Sequence, residues 1–348
     1  MQRALALAKT VRLHKIHSRL LMMWMTVALS TCSAIAATDV DALRARALEV
    51  FAPLPAKMPG AEHDTRELIA LGRKLFFDKN LSTNKTTSCN TCHEMGSRAK
   101  YRGESIGATG KSSARNSPTL LNAGFHFAQF WDGRSADLQS QAREPMLNPD
   151  EMGMPVEAEL LKRLRESGNY QRQFARSFPD KSEPFNIENI TRAIAAYERT
   201  LITHDRFDDF LKGSDRALSR AERKGLKLFL DFGCARCHNG SALGGNSFQK
   251  TGLKNPYANM NDLGRATITG NEADRFKFKV PSLRNVVLTP PYFHDGQVAT
   301  LTEAIRLMGY LQLDRQLTRA EVESIETFLH SLSDLQLALR PNTGFLGR

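Results

Sequence analysis

The pentapeptide CNTCH, residues 89–93, and its near-copy CARCH, residues 234–238, decide the fold of this chain. Each has two cysteines separated by two residues and a histidine directly after the second cysteine. A Cys-x-x-Cys pair alone suits half of a zinc site, a redox pair or a haem anchor. Of these three kinds of site, only a haem c anchor requires the histidine. The thiols form thioethers with the vinyl groups of the haem, while the adjacent imidazole binds the iron. The repeated motif therefore predicts two covalently bound haem c groups, and a four-cysteine zinc site is the alternative.

The cysteine usage of the chain agrees with this prediction. There are five cysteines, and one of them, Cys32, lies in an N-terminal segment that we expect to be removed. The other four all fall in the two motifs, so none is left for a structural disulfide. An exported protein that places every cysteine in such pairs uses them for chemistry. The predicted haem-binding residues are Cys89, Cys92, His93, Cys234, Cys237 and His238.

The N-terminus has the pattern of a secretory signal. Five basic residues and no acidic one occupy residues 3–19, and the apolar run LLMMWMTVALS follows at 20–30. The stretch AIA at 34–36 supplies the small residues of a cleavage site. We therefore expect residues 1–36 to be a signal peptide cut after Ala36 and the mature protein to be periplasmic; an uncleaved anchor is the alternative. No later segment is apolar enough to span a membrane.

Composition and charge do not support binding to nucleic acid. Hydrophobic residues make up 41% of the chain and charged residues 24%, as in ordinary globular proteins. The formal charge of +11 falls to +6 without the five basic residues of the signal, since 43 Lys and Arg then face 37 Asp and Glu. Basic residues do not cluster with aromatic ones, as they do in nucleic-acid interfaces.

The two motifs belong to an internal repeat. The other matching segments are GRKLFFD (72–78) with GLKLFLD (225–231), PTLLN (118–122) with PSLRN (281–285), and FWDGRSADL (130–138) with FHDGQVATL (293–301). The last two pairs share an offset of 163 residues. In the first pair, Leu and Phe at helical spacing predict a helix that enters each haem-binding loop. We therefore predict an all-α fold of two cytochrome c-like haem domains with long loops, at 37–204 and 205–348.

Two more helices are predicted from apolar spacing. Residues 187–202 have Ile, Tyr and Leu at helical intervals, and residues 318–332 open with Thr318 and Glu321 as a capping box. No strand pattern is long enough to predict a sizeable sheet. The expected buried positions are Ile187, Ile190, Ile194, Tyr197 and Leu201 in the first helix, and Val322, Ile325, Phe328 and Leu332 in the second.

The repeat predicts that the two irons differ. With the offset of 163 residues, Pro145 falls opposite Met308. If Met308 is the second axial ligand, the second haem is His/Met, closed and of raised potential, which suits electron transfer. Proline cannot bind iron, so the first haem keeps an open position for a small molecule. A slip of one residue, which turns a helical side chain by ~100°, would instead bring Met146 to the first iron and close both haems.

These segments resemble the bacterial di-haem cytochrome c peroxidases, and more broadly the superfamily that includes the methylamine dehydrogenase maturation enzyme. The resemblance covers most of the mature chain and is carried by CNTCH, SARNSPTLLNAGFHFAQFWDGR, EPMLNPDEMG, FKVPSLRNVVLTPPYFHDG and LMG. It implies a peroxidatic haem on the first motif and an electron-transfer haem on the second, with Met308 as the distal ligand of the second.

The resemblance also implies roles for individual residues. Trp131 matches the tryptophan that lies between the haems. Glu151 matches the distal carboxylate that transfers a proton when peroxide is cleaved, with Gln141 and Pro145 in the same pocket. A calcium ion at the domain boundary is implied too, and relatives suggest a homodimer. The matching calcium ligands are Asn116 and the backbone carbonyls of Thr289 and Pro291.

Two departures from the family pattern bear on activity. Many members carry SIGH after the first haem, and that histidine blocks the iron until the other haem is reduced; this chain has SIGATG, with Ala108 at that position. We therefore predict a first haem that is open without pre-reduction, and His126 or Met146 as the blocking residue if it is not. The maturation enzyme has tyrosine where this chain has Met308 and tryptophan where it has Phe232, which argues against oxidation of a protein substrate.

The resemblance thus implies an enzyme that reduces hydrogen peroxide to water with electrons from a small carrier, either a cytochrome c or a copper protein (cupredoxin). Two other functions stay open. One is oxidation of a partner protein by long-range electron transfer, and the other is a non-enzymatic electron carrier with both irons six-coordinate. The aspartates of the two matching DG turns, Asp132 and Asp295, are expected to be structural.

Overall fold

The computed structural model describes residues 39–93, 105–168, 170–334 and 336. The predicted signal peptide, residues 1–36, lies outside the described residues. The described residues fall into two units, divided between Glu49 and Val50. Residues 39–48 of the first unit are helical (α1), and the second unit contains all the motifs of the repeat.

Regular structure in the second unit is nearly all helical, as predicted. Its α-helices are α2 (Arg66–Phe76), α3 (Cys89–Cys92), α4 (Leu138–Leu147), α5 (Glu157–Glu166), α6 (Tyr170–Ser177), α7 (Ile187–Glu198), α8 (Arg206–Leu211), α9 (Arg220–Asp231), α10 (Ala266–Thr269), α11 (Leu301–Leu313) and α12 (Arg319–His330). Short 3₁₀ turns lie at Ala61–His63, Lys79–Leu81, Ala123–Phe125, Cys234–Arg236, Glu272–Asp274 and Val286–Leu288. None of the described helices has the length and apolar character needed to cross a membrane.

One short sheet accompanies the helices in the described ranges. Strand β1 (Phe248–Lys250) pairs antiparallel with β2 (Lys277–Lys279), and Phe248 lies opposite Lys279. The small size of this sheet agrees with the absence of long strand patterns in the sequence. The backbone N–H of Lys279 also donates to the carbonyl oxygen of Trp131 (2.7 Å). This bond ties the sheet to the FWDGR segment.

Each half of the repeat contains a pair of helices that cross at a glycine. Helix α2 packs on α7, and α9 packs on α12. A Cβ atom at Gly72 would lie 1.7 Å from the carbonyl oxygen of Ala193, and one at Gly225 would lie 1.9 Å from that of Ser324. Glycine is required because the two backbones approach too closely for any side chain. The helices predicted from GRKLFFD and GLKLFLD are confirmed as the C-terminal parts of α2 and α9.

The two helices predicted from apolar spacing are also confirmed. Helix α7 follows Asn186, whose side chain accepts a hydrogen bond from the backbone N–H of Asn189 (2.9 Å). Helix α12 follows Thr318, which forms the predicted capping box with Glu321. The predicted apolar positions are all buried, namely Ile187, Ile190, Ile194, Tyr197, Leu201, Val322, Ile325, Phe328 and Leu332.

Helices α4 and α11 begin at equivalent positions of the repeat, because their first residues are 163 positions apart. The residues before them, Asp137 and Thr300, cap the helices by accepting a hydrogen bond from a backbone N–H three residues further on. Pro145 in α4 and Met308 in α11 therefore lie at the same helical position. The offset inferred from sequence holds in the structure for this pair of helices.

Candidate functional site

The first motif forms a one-turn helix, α3, followed by its histidine. Ser88 precedes the turn, and its backbone N–H donates to Thr91 Oγ1 (2.9 Å). His93 Nδ1 lies 3.0 Å from the carbonyl oxygen of Pro118. A carbonyl oxygen can only accept, so Nδ1 carries the proton and Nε2 keeps the lone pair that binds a metal. Burial lowers the pKa of His93 to about 4, so the imidazole is neutral.

The second motif repeats this arrangement. Cys234–Arg236 forms a 3₁₀ turn, and His238 Nδ1 lies 3.3 Å from the carbonyl oxygen of Leu243. The carbonyl of Pro281, the repeat equivalent of Pro118, also interacts with this ring, and burial lowers the pKa of His238 to about 4. Backbone acceptors thus hold both histidines in the tautomer and orientation that a metal ligand needs.

The four cysteines fit covalent attachment of haem. All four are free thiols, and burial raises their pKa values, that of Cys234 to about 11. Cys92 lines one cavity, while Cys234 and Cys237 line a second. Across the described residues, no cluster of three or more His, Cys, Asp and Glu side chains could hold a metal ion. This separation argues against the alternative of a four-cysteine zinc site.

The first cavity has a volume of about 910 Å³ and contains the first motif. Cys92 and His93 lie in its wall together with the loops around PTLLN and FWDGR. Gln141, Pro145 and Glu151, which the resemblance assigns to one pocket, line this same cavity. The structure therefore brings together side chains that are up to about 60 positions apart in the sequence. Hydrogen bonds from Ala108 to Glu151 and from Thr109 to Pro149 join the two segments.

Glu151 has the environment of a proton-transfer residue. Burial raises the pKa of its carboxyl group, and the neighbouring charge of Glu144 acts in the same direction. Asn148 Nδ2 donates to Glu151 Oε1 (2.9 Å), and this bond together with the charge of Arg134 opposes the rise. A carboxyl group with a raised pKa in a cavity both accepts and releases a proton more readily near neutral pH.

The residues considered as substitute blockers of the first iron lie in different environments. Met146 is fully buried, with 0% of its surface exposed, in the apolar core formed by α2, α7 and neighbouring segments. His126 lines the first cavity, and its Nδ1 lies 3.3 Å from Lys279 Nζ. At the position of the blocking histidine of relatives, the backbone N–H of Ala108 donates to the carbonyl oxygen of Glu151 (2.5 Å). This bond holds the SIGATG loop against the loop that carries Glu151.

The second cavity is mainly apolar and contains Met308 together with the second motif. Met308 belongs to α11, and His238 lines the same cavity. A thioether and a neutral imidazole in one apolar cavity suit the two axial ligands of a haem iron of raised potential. The first cavity has Pro145 at the equivalent helical position, where the side chain offers no ligand atom. Apolar residues that line the second cavity include Phe229, Val280, Leu283, Leu301, Ile305 and Leu329.

Trp131 lines both cavities and so lies in the wall between them. Its Nε1 donates to the carbonyl oxygen of Asn116 (2.8 Å). His294 is its counterpart in the repeat and lines the second cavity, with its ring centroid 6.4 Å from that of Trp131. The His294 ring stacks on Phe278 with centroids 4.0 Å apart. Aromatic rings in contact therefore connect the walls of the two cavities.

Two of the three expected calcium ligands, Asn116 and the Pro291 carbonyl, lie close to each other. Asn116 Nδ2 donates to the carbonyl oxygens of Pro291 (2.8 Å) and Phe293 (3.3 Å). Asn116 Oδ1 is buried without a hydrogen-bond partner among the described residues. Rotation of the amide by half a turn would place Oδ1 beside the Pro291 carbonyl, and paired oxygen atoms are what a hard cation such as calcium prefers. Thr289 precedes Pro291 by two positions.

Two charged features of the first cavity were not predicted from the sequence. Arg115 forms ion pairs with Asp132 (2.5 Å) and Asp262 (2.6 Å), so this arginine joins the loops that carry the two aspartates. Lys279 is buried at the end of β2 and lines both cavities. The alternation in FKFKV favours lysines on the solvent side of a strand, so the pattern contains no signal for a buried lysine.

Comparison with known proteins identifies relatives along most of the chain. Residues 66–216 match the family model described as di-haem cytochrome c peroxidase. The chain is 42% identical over 306 residues to the cytochrome c551 peroxidase of Pseudomonas aeruginosa, and the match covers 86% of this chain and 88% of that protein. It is 43% identical over 302 residues to the cytochrome c551 peroxidase of Nitrosomonas europaea, covering 84% and 88%.

The fold is similar to a solved structure as well. The crystal structure of a MauG-like protein associated with microbial copper homeostasis superposes with a TM-score of 0.74 at 32% identity, covering 84% of this chain and 96% of that one. The relatives named by sequence and by structure therefore belong to one superfamily, and they agree with the mostly helical architecture described above.

Proposed function

The chain belongs to the family of di-haem cytochrome c peroxidases, and we propose that it reduces hydrogen peroxide to water with electrons from a small carrier protein. Each peroxide takes up two electrons and two protons and yields two molecules of water. The observation that carries the proposal is an asymmetry at one helical position. Pro145 lines the first cavity and Met308 lines the second, so peroxide has access to a metal in the first cavity alone.

The two motifs would hold the haems. The thiols of Cys89 and Cys92 would form the thioethers of the first haem, and His93 Nε2 would bind its iron. Cys234, Cys237 and His238 would act in the same way on the second haem, with Met308 as a further ligand. When bound, haem supplies the iron that reacts with peroxide and passes electrons. The neutral, oriented imidazoles and the free thiols support this assignment.

Glu151 is the proton-transfer residue of the proposal. As a carboxylate it accepts the proton of the inner peroxide oxygen, and as a carboxylic acid it returns that proton to the outer oxygen. The O–O bond breaks, and the outer oxygen leaves as water with the electron pair of that bond. Two electrons from the donor and two protons convert the inner oxygen to the second water. Asn148 holds the carboxyl group by its hydrogen bond to Oε1. Gln141 and Pro145 shape the remaining wall, and the amide of Gln141 offers peroxide a hydrogen bond. A positioned acid–base group of this kind accelerates a reaction by roughly 10²–10⁴-fold.

Electrons reach the first cavity from the second. Met308 favours the reduced form of the second metal, because a thioether ligand raises its potential. Trp131, which lines both cavities, is the proposed bridge between them. The donor would be a cytochrome c or a cupredoxin, and the predicted signal at 1–36 supports a periplasmic location for the exchange.

We further propose that the first cavity is accessible to peroxide in the oxidised protein without pre-reduction. Ala108 has no side-chain atom that binds iron, and Met146 lies in the apolar core instead of the cavity. Calcium is the proposed cation beside Asn116 and the carbonyls of Thr289 and Pro291, and the unpartnered Oδ1 of Asn116 supports it.

The spectrum of the oxidised holoprotein tests the proposal, followed by turnover. We expect EPR and optical signals from one high-spin and one low-spin haem, immediate reaction with peroxide, and peroxide-dependent oxidation of reduced cytochrome c. Two low-spin haems without turnover would instead identify an electron carrier. A mixed-spin spectrum without turnover of any small donor would favour oxidation of a partner protein. A lag abolished by pre-reduction would show that a side chain, with His126 as the first candidate, blocks the first haem.

A further inference from the structure

Lys279 is a buried cation at the boundary of the two cavities. It is 6% exposed and lines both of them. Its Nζ donates to the carbonyl oxygen of Ala128 (2.8 Å) and lies 3.3 Å from His126 Nδ1. The ammonium group is thus held on the side of the wall where His126 lies, and His126 lines the first cavity.

This ammonium group lacks an anionic partner among the described residues. The carboxylate whose charge acts on Lys279 is that of Asp132, which is already paired with Arg115 and Arg134. Burial therefore lowers the pKa of Lys279 to about 7. A buried charge without a partner is costly. An anion within reach of Nζ would stabilise the ammonium form of Lys279 in this buried position.

His126 adds a second unsatisfied donor. Nζ of a protonated lysine only donates, so His126 Nδ1 accepts from it and Nε2 carries the ring proton. Nε2 is buried and has no partner among the described residues. A Cβ atom at Gly245 would lie 2.3 Å from the His126 ring, so the ring packs directly against the backbone of Gly245. The Nε2–H bond points away from Nζ, so one carboxylate cannot accept from both groups. His126 instead holds the ammonium group in place through Nδ1, and Nζ keeps a further N–H that can donate to an anionic oxygen.

We propose that Lys279, held in place by His126, binds a propionate carboxylate of the haem in the first cavity and thereby raises the reduction potential of that haem. The inference rests on the proposed function, because it requires a haem at CNTCH. A propionate brings the negative charge that the buried ammonium lacks. The positive charge in turn stabilises the reduced form of the metal, which has one positive charge fewer than the oxidised form.

The test compares two lysines of the same strand. Lys279→Met removes the buried ammonium and keeps an unbranched side chain. Lys277→Met removes the same charge from a more exposed ion pair with Asp274 (3.0 Å). In spectroelectrochemical titrations of the holoproteins, we expect Lys279→Met to shift the reduction equilibrium of the first haem about tenfold toward the oxidised form, which is about 59 mV for one electron. The shift at the second haem should be smaller, and Lys277→Met should change neither equilibrium by more than about twofold.

His126→Phe provides a second variant in case Lys279→Met loses its haems. It removes the Nδ1 acceptor that positions Lys279 Nζ, so it should shift the first haem in the same direction by a smaller amount. Both variants should also move the propionate bending band in the resonance Raman spectrum of the wild-type holoprotein, which is independent of turnover.

Equal shifts in Lys279→Met and Lys277→Met, or a larger shift at the second haem, would overturn the inference. An unchanged Raman band in both His126→Phe and Lys279→Met would do the same. Failure of the peroxidase proposal is distinguishable, because it would appear as absent turnover in the wild type, whatever the potentials of the variants.

Discussion

Replacement of Glu151 by glutamine removes proton transfer from the first cavity with little change in shape. The glutamine carbonyl still accepts the hydrogen bond that Asn148 Nδ2 donates to Oε1 over 2.9 Å, so the side chain should stay in place. What is lost is a group that accepts a proton and gives it back. We expect the second-order rate constant for reaction with peroxide to fall by about 10³, within the usual range for general acid–base catalysis, which is about 4 kcal/mol of activation free energy.

The rate constant for reaction of the wild type with peroxide should depend on pH. Glu151 must be ionised to accept the first proton, and burial raises the pKa of its carboxyl group. The wild-type rate constant should therefore fall as the pH is lowered through that pKa, at values above the ordinary glutamate pKa of about 4.3. Glu151→Gln should lack this acid limb, because glutamine does not titrate.

Stopped-flow mixing of the oxidised holoprotein with peroxide measures both quantities. Asp150→Asn is the matched control, since it removes the same charge from the adjacent residue, which is exposed and pairs with Lys111 (2.8 Å). The control should react within about threefold of the wild type. Its acid limb should lie at slightly lower pH, because the charge of Asp150 is one of those that raise the pKa of Glu151. A Glu151→Gln rate close to that of the control, or an unchanged acid limb, would refute the assignment of Glu151 as the proton-transfer residue.

Three further predictions address the fold, the second cavity and the calcium site. Gly225→Ala should lower the free energy of unfolding by about 1–3 kcal/mol, as overpacking does, because its Cβ would lie 1.9 Å from the carbonyl oxygen of Ser324. Thermal melts compare this variant with the exposed control Lys224→Ala, and equal melting temperatures of the two variants would contradict the prediction. Met308→Ala should turn the second haem high-spin and lower its potential, which EPR and redox titration detect; a low-spin spectrum would mean that another residue is the ligand. Removal of calcium with EGTA should lower the melting temperature of the wild type and leave that of Asn116→Ala unchanged, whereas an equal fall in both proteins would place the cation elsewhere.

Much of the fold could be predicted because its signals are local. The glycine-containing helices that enter both motifs, the capping box at Thr318 and the apolar spacing of α7 each depend on residues within a few turns of one another. The helical equivalence of Pro145 and Met308 followed from one constant offset, which holds because no insertion separates the repeated FWDGR and FHDGQ segments from α4 and α11. The boundary between the haem domains near residue 204 stays a prediction.

Contacts between cavity-lining residues that are far apart in the sequence were harder to predict. His126 was singled out as a possible blocker of the first iron, and its contact with Lys279 could not be anticipated, because the two side chains are 153 positions apart. Asp132 was expected to be structural, but its partners Arg115 and Arg134 had no recognisable pattern. These ion pairs form where distant loops approach each other, and the sequence contains no periodic pattern that predicts such an approach.

Short-range patterns were sufficient for the covalent chemistry and the helices of this protein, since thioether attachment and helical periodicity need only neighbouring residues. Packing between distant segments decided which side chains share a cavity, which ones lose contact with water and which charges lack a partner. Burial and electrostatic energy depend on distances through space. Lys279 illustrates the difference, because its strand pattern suggests a solvated lysine and its tertiary surroundings make it a buried cation between two cavities.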